Sequence, residues 1–224
     1  DLREFLDLGA RRAGGGGHLD EHQVAFHVVA RADVVDADDG DDLLQLPPHL
    51  VAPTDALSPA DERKQFTVPA GFDVQLVASE PDIQKPMQMA FDAKGRLWVA
   101  AWPSYPELTP TDKVKDKLLV FELDANGKAS KCITWLDGLN CPTGFQFHKD
   151  GVLVMQAPDL WFVRGADGNK AGSVERVVMG MDSADSHHTA NAICYEPGGA
   201  IYLSDGVFHR TQVETTAELR KKVR

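Results

Sequence analysis

Cysteine is scarce: Cys132, Cys141 and Cys194 are the only three in 224 residues. None belongs to a CxxC pair, so neither a zinc knuckle nor a covalently attached haem is encoded. Three thiols cannot all pair within one chain. The plainest expectation is three small buried hydrophobes, with a Cys132–Cys141 bridge across a strand and turn as the alternative in an oxidising compartment. Long apolar runs are also lacking, and no window reaches the roughly 18 residues that a membrane helix needs. The opening residues Asp1-Leu2-Arg3-Glu4 lack the basic-then-apolar layout of a secretory leader. They also lack an initiator Met, so they say little about compartment. Basic charge is in deficit, with 23 Lys and Arg against 34 Asp and Glu for a net charge of −11. Binding a phosphate backbone needs a basic surface, and this balance argues against nucleic acid as a partner.

The deficit is uneven. Residues 1–50 hold eleven acids against four Arg, and no Lys occurs before Lys64 although twelve follow from there on. Hydrophobic periodicity is weak over residues 1–52, which carry the Gly14–Gly17 run and the acidic stretch from Asp33 to Asp42. Such a segment buries little apolar surface per ordered residue, and residues 1–57 read as an irregular, disordered or non-native N-terminal segment. Its histidines His18, His22, His27 and His49 show no recurrent ligand spacing and read as solvated side chains. Pro47, Pro48 and Pro53 close the region. Ser58-Pro59-Ala60-Asp61-Glu62 then has the form of a short capped helix, with Ser as N-cap, Pro at the first helical position and acids in the first turn. Phe72, Val74 and Leu76 alternate with polar residues, the pattern of a half-buried strand.

A repeat follows. Its first copy is Pro86-Met-Gln-Met-Ala-Phe91-Asp-Ala-Lys-Gly95-Arg-Leu-Trp-Val. The second is Pro142-Thr-Gly-Phe-Gln-Phe147-His-Lys-Asp-Gly151-Val-Leu-Val-Met, and the third Ala190-Asn-Ala-Ile-Cys-Tyr195-Glu-Pro-Gly-Gly199-Ala-Ile-Tyr-Leu. Each shows an alternating strand, an aromatic, a turn ending in Gly where a tight hairpin wants positive φ, and a second alternating strand. These glycines lie 56 and then 48 residues apart. Between copies run Lys117–Leu123 with its Asp124–Gly127 turn, and Leu160–Val163 with Asp167-Gly168. Each period therefore supplies about four short strands, the content of one propeller blade. The expected fold is all-β: a partial β-propeller of about three blades and six-bladed type over residues 58–215, followed by a basic tail at 216–224. Rings close with about 4–8 blades, so the chain reads as truncated and inactive as a fragment, with oligomeric closure or a misfolding-prone piece as the alternatives.

The repeat phrases resemble the six-bladed propellers of soluble quinoprotein glucose/sorbosone dehydrogenases. They look closer still to the propeller of the large exported "membrane-bound dehydrogenase" proteins of planctomycete-type bacteria. Three phrases carry the likeness: Val68-Pro-Ala-Gly-Phe-Asp-Val-Gln-Leu-Val-Ala-Ser-Glu-Pro81, Asp137-Gly-Leu-Asn-Cys-Pro-Thr-Gly144, and Asp185-Ser-His-His-Thr-Ala-Asn191 through Ser204-Asp-Gly-Val-Phe-His-Arg210. The resemblance implies a propeller acting on a sugar or alcohol outside the cytoplasm, in the periplasm or beyond. It implies pyrroloquinoline quinone and Ca²⁺ as cofactors, and a c-type haem electron acceptor that is not encoded here.

In those dehydrogenases a His nine residues before the blade's Pro acts as base, and Pro197 places that role on His188, with His187 beside it. A neutral imidazole suits removal of a hydroxyl proton as hydride leaves the same carbinol. Asp185 is near enough in sequence to orient either ring. The family pattern has an Arg four residues after the base, where this chain has Ala192. Asn140 occupies the equivalent loop one blade earlier, and Asn191 flanks the next strand; both are candidates for cofactor contacts, as is Arg210. Asp205 is the candidate metal ligand. His209 and Arg210 would add cations to the mouth or lie on the surface. Trp98, Trp102, Trp135 and Trp161 read as packing, with Trp102-Pro103-Ser104-Tyr105 as a sugar-binding rim. Two other functions fit the same fold: a lactonase or esterase in which Glu80, Asn140, Asn191 or Asp205 holds a divalent ion, and a non-catalytic glycan- or protein-binding module.

Overall fold

The computed structural model describes residues 57–106, 110, 113–207 and 209–215, together with the backbone of Gln23–His27. The rest of the N-terminal segment and the tail at 216–224 lie outside the described residues, as do the side chains of the four N-terminal histidines. Strand β1 (Gln23–His27) runs parallel to β2 (Phe72–Leu76), an element where the sequence pattern suggested none. Helix α1 (Pro59–Arg63) starts as expected: the Ser58 hydroxyl accepts the Asp61 N–H at 3.2 Å, and Pro59 sits at the first helical position. Arg63 ties this helix to β2 through Nε and the Val74 carbonyl at 2.5 Å. Among the described residues no helix is long and apolar enough to cross a membrane.

The protein is all-β, built from antiparallel meanders. The first sheet runs β3 (Pro86–Phe91), β4 (Leu97–Ala101), β5 (Asp116–Leu123) and β6 (Ala129–Leu139), in that spatial order. The second runs β7 (Gly144–His148), β8 (Gly151–Gln156), β9 (Asp159–Arg164) and β10 (Val174–Met179), with β13 (Glu214–Thr215) added beside β10. The third copy of the repeat forms only a hairpin, β11 (Ala192–Tyr195) and β12 (Ile201–Ser204).

These units stack face to face. Trp98, Leu118, Val120 and Trp135 from the first sheet meet Phe145, Val152, Val154 and Val163 from the second. Trp98 lies edge-on to Trp135 at 4.8 Å and to Phe147 at 5.4 Å. Burying one indole removes about 200 Å² from water, roughly 5 kcal/mol by area. On its far side the first sheet is covered by Val77, Ala78 and Ile83. The second is covered by Met181, Ala190 and Ile193, the last two leading into the hairpin. This corrects the alternating reading of the repeat's second strand: all five residues of β4 are buried, because both its faces are covered. At the sheet ends Asp92 accepts from Arg96 Nε at 2.6 Å and from Trp98 Nε1 at 2.9 Å. The same guanidinium reaches the Ala166 carbonyl, in the loop between β9 and β10, at 2.6 Å.

The turns differ from expectation at one glycine. Gly95 and Gly199 have φ of 76° and 91°, as a tight turn requires. In the second copy the left-handed residue is Lys149, with φ of 50°. Gly151 is needed instead because a Cβ there would overlap the Val163 carbonyl oxygen. The cysteines also depart from expectation. Only Cys141 is buried, and all three are free. Cys132 lies within β6 and Cys141 just beyond its end. A strand rises about 3.3 Å per residue, so the two thiols are held far apart along one extended segment and cannot bridge. Burial, and then the neighbouring Asp116 charge, push the Cys141 thiol up to about 12.

The first strands of the three units, β3, β7 and β11, lie side by side. The Gln88 amide bridges the first two. Its Nε2 donates to the Phe145 carbonyl at 3.0 Å and its Oε1 accepts the Phe145 N–H at 2.6 Å. A Cβ at Gly144 would overlap the Asn191 carbonyl oxygen and crowd Gln88 Oε1. Gly144→Ala should therefore lower folding stability by about 3 kcal/mol or more, the range of overpacked backbone contacts. Urea unfolding followed by tryptophan fluorescence measures it, and a midpoint equal to wild type would refute this close approach.

Candidate functional site

Where β3, β7 and β11 meet, the loops at one end enclose a cleft of about 410 Å³. Gln88, Tyr105, Thr143, His187, Thr189 and Asn191 contribute to its lining. Two contacts tie these walls to another unit, and a third braces the loop of the first unit from within. Thr143 Oγ1 donates to the Ala190 carbonyl at 2.5 Å. Ser186 Oγ donates to the Pro106 carbonyl at 2.6 Å, and Lys85 Nζ to the Tyr105 carbonyl at 2.8 Å. The Tyr105 ring lies edge-on to Trp102 at 5.0 Å and to His187 at 5.6 Å.

Asp185 organises both adjacent imidazoles. Its Oδ2 lies 2.6 Å from His188 Nδ1, and its Oδ1 accepts the His187 N–H at 2.9 Å and lies 3.5 Å from His187 Nδ1. The His188 hydrogen bond, and then that from the His187 amide, hold the Asp185 carboxyl below the usual carboxylate range. The pair is thus brought together as the spacing suggested, but it is His187, not His188, that lines the cleft.

The remaining candidates divide. Asn191 lines the cleft and its N–H donates to the Ser204 carbonyl at 3.2 Å. Asn140 sits in the β6–β7 loop, where its N–H donates to Gln156 Oε1 at 2.8 Å, and is not among the lining residues. Arg210 has an exposed side chain away from the lining, and its N–H donates to Asp182 Oδ2 at 2.9 Å. Asp205 accepts from the Gly206 N–H at 2.8 Å, from the Thr211 hydroxyl, and lies 2.8 Å from His209 Nδ1. Burial pushes its carboxyl up, but these bonds outweigh it and leave the group below its ordinary value. Glu80 lies in the segment that covers the far side of the first sheet. Among the described residues no group of three or more His, Cys, Asp and Glu is arranged to hold a metal ion. Gln88 and Thr143 carried no recognisable sequence signal, because what matters is which strands they bring together.

His209 is neither a cation in the mouth nor a surface residue. Its side chain is 2% exposed. Nε2 faces the Asp185 carbonyl at 3.3 Å and Nδ1 faces the Asp205 carboxylate. Both partners only accept, so the surroundings favour protons on both ring nitrogens, the imidazolium form. Burial pulls its pKa down, but the Asp205 hydrogen bond and charge, the Asp185 carbonyl and the Asp182 charge together raise it above the ordinary value of 6.5. With Gly206, whose missing side chain admits the His188 carbonyl, His209 locks residues 205–207 and 209–211 against residues 182–188.

Residues 58–224 match a family described as a domain of unknown function (DUF7133). The match spans well over half of the chain, and the chain belongs to that family. No curated protein matches it.

The lock has a pH signature. A raised folded-state pKa contributes stability that is fully present below about pH 6.5 and fades as pH rises through that pKa. The stability difference between wild type and His209→Gln should therefore be larger at pH 6 than at pH 9. Urea midpoints across that range measure it, and a gap that is flat or widens with pH would contradict the imidazolium assignment.

Proposed function

We propose that the two meanders and the hairpin are successive blades of a β-propeller of the sugar-dehydrogenase kind, and that the cleft is its mouth. Three features support the ring: face-to-face stacking, adjacency of the three first strands, and repetition of one meander. We propose further that the mouth binds a neutral polyhydroxylated ligand, a sugar or an alcohol. The observation that carries this is the chemistry of the lining. Tyr105 offers an aromatic face, Gln88, Thr143, Thr189 and Asn191 offer uncharged hydrogen-bonding groups, and among the described residues no Lys, Arg, Asp or Glu lines the cleft.

The dehydrogenase reading assigns the hydroxyl proton to the Asp185-oriented imidazoles, with His187 the one in the cleft. Pyrroloquinoline quinone would supply the hydride acceptor when bound, but its carboxylates call for cations. Arg210 is not among the lining residues, and Ala192 stands where the resembling enzymes have Arg. The described cleft does not fit that anionic group, and this favours a mouth that binds a neutral ligand without turnover as the second reading. The hydrolase reading lacks a gathered metal-ligand set among the described residues. Placement outside the cytoplasm and a haem protein as electron acceptor belong to the dehydrogenase reading alone.

Calorimetric titration with glucose and sorbitol tests the mouth. Binding should be saturable, and Tyr105→Ala should weaken it about tenfold, the scale of a lost stacking contact. Absence of binding to either, or binding indifferent to Tyr105, would overturn the polyol reading. A quinone absorbance change with pyrroloquinoline quinone, Ca²⁺ and sugar would instead restore the oxidoreductase.

A further inference from the structure

We propose that Asp116 is the positioning residue of the cleft, holding its two rim loops at one separation; the proposal rests on the reading of the cleft as a binding mouth. Asp116 opens β5 and is 0% exposed. A carboxylate taken out of water this completely is costly unless donors surround it. Its partners among the described residues are donors from two loops. Oδ1 accepts the Ser104 N–H at 3.3 Å, and the Ser104 hydroxyl lies 2.9 Å from Oδ1 and 3.0 Å from Oδ2. Oδ2 accepts the Cys141 N–H at 2.8 Å.

Each oxygen is thus committed to the backbone of one loop. The Ser104 loop carries Tyr105, which lines the cleft and packs edge-on against His187. The Cys141 loop carries Thr143, on the cleft wall and bonded to the Ala190 carbonyl. That loop also holds Cys141 at φ of 64°, a conformation that a non-glycine residue adopts only when its surroundings enforce it. Asp116 lies beneath both walls without lining the cleft, so it acts through them. A neutral amide of the same shape has one acceptor oxygen. It can keep one loop's N–H paired and must face the other with its own NH₂.

Hydrogen–deuterium exchange on Asp116→Asn tests this in the full chain without a ligand. Exchange at Ser104–Tyr105 and at Cys141–Thr143 should accelerate about tenfold, the scale of one lost charge-assisted bond, while β5 and β8 stay protected. The His187 ring-proton resonance should shift because Tyr105 moves, a change that loss of stability alone would not produce. The milder Ser104→Ala should loosen only the Ser104 loop and serves if Asp116→Asn fails to fold. Acceleration spread evenly through both sheets, an unmoved His187 resonance, or equal loosening of both loops in Ser104→Ala would overturn the proposal. With glucose as probe, Asp116→Asn should also bind about tenfold more weakly. Failure of the wild-type protein to bind glucose would count against the mouth reading, and the exchange result would still decide the role of Asp116.

Discussion

The architecture turns on one close approach, where β7 passes between β3 and β11 at Gly144 and Phe145. These three strands belong to different sheets and form no ladder with one another, so their facing N–H and C=O groups need other partners. Gln88 supplies both for Phe145 with a single amide, in effect a short piece of neighbouring strand. On the opposite flank Gly144 lets the Asn191 carbonyl come within a distance that any side chain would forbid. The same two contacts set how far apart the sheets lie, and hence whether Trp98 and Trp135 can fill the space between them.

The cleft is the end of that contact. Its walls are loops at the ends of neighbouring strands: Ser186 to Pro106 and Thr143 to Ala190 fasten one unit to another, and Lys85 to Tyr105 braces the loop of the first unit from within. Residues 182–188 are fastened differently to residues 205–207 and 209–211, by aspartates around the His209 ring, whose protonated form they favour. A buried cation is tolerable only when an anion and a hydrogen-bond acceptor meet it, and Asp205 and the Asp185 carbonyl do so. The Asp and His residues of this stretch are therefore largely engaged with one another. Side chains left for a ligand are mostly neutral.

Much of this was legible in the residues. The helix cap at Ser58, the strand at Phe72–Leu76 and the three hairpins follow from local periodicity and turn chemistry, because those patterns report on neighbours a few positions away. Gly151 shows the limit. It occupies the repeat's turn position, yet its necessity comes from the Val163 carbonyl on the adjoining strand, which no local pattern encodes. The Asp185–His188 proximity was readable from spacing, whereas the choice of His187 as the cleft-lining ring was not. The His187 ring packs edge-on against Tyr105, some 80 residues earlier in the chain.

By itself the sequence determined an all-β protein of repeated meanders, acidic overall, with a polar His-rich loop after the second unit. Alternation, glycine turns and charge balance are local or additive properties, and they survive without knowledge of the fold. Tertiary structure alone decided which carboxylates are buried, which histidine is held between two acceptors and which polar groups face open space. Those outcomes depend on distances between strands far apart in the chain, and on the cost of leaving any buried donor or charge without a partner.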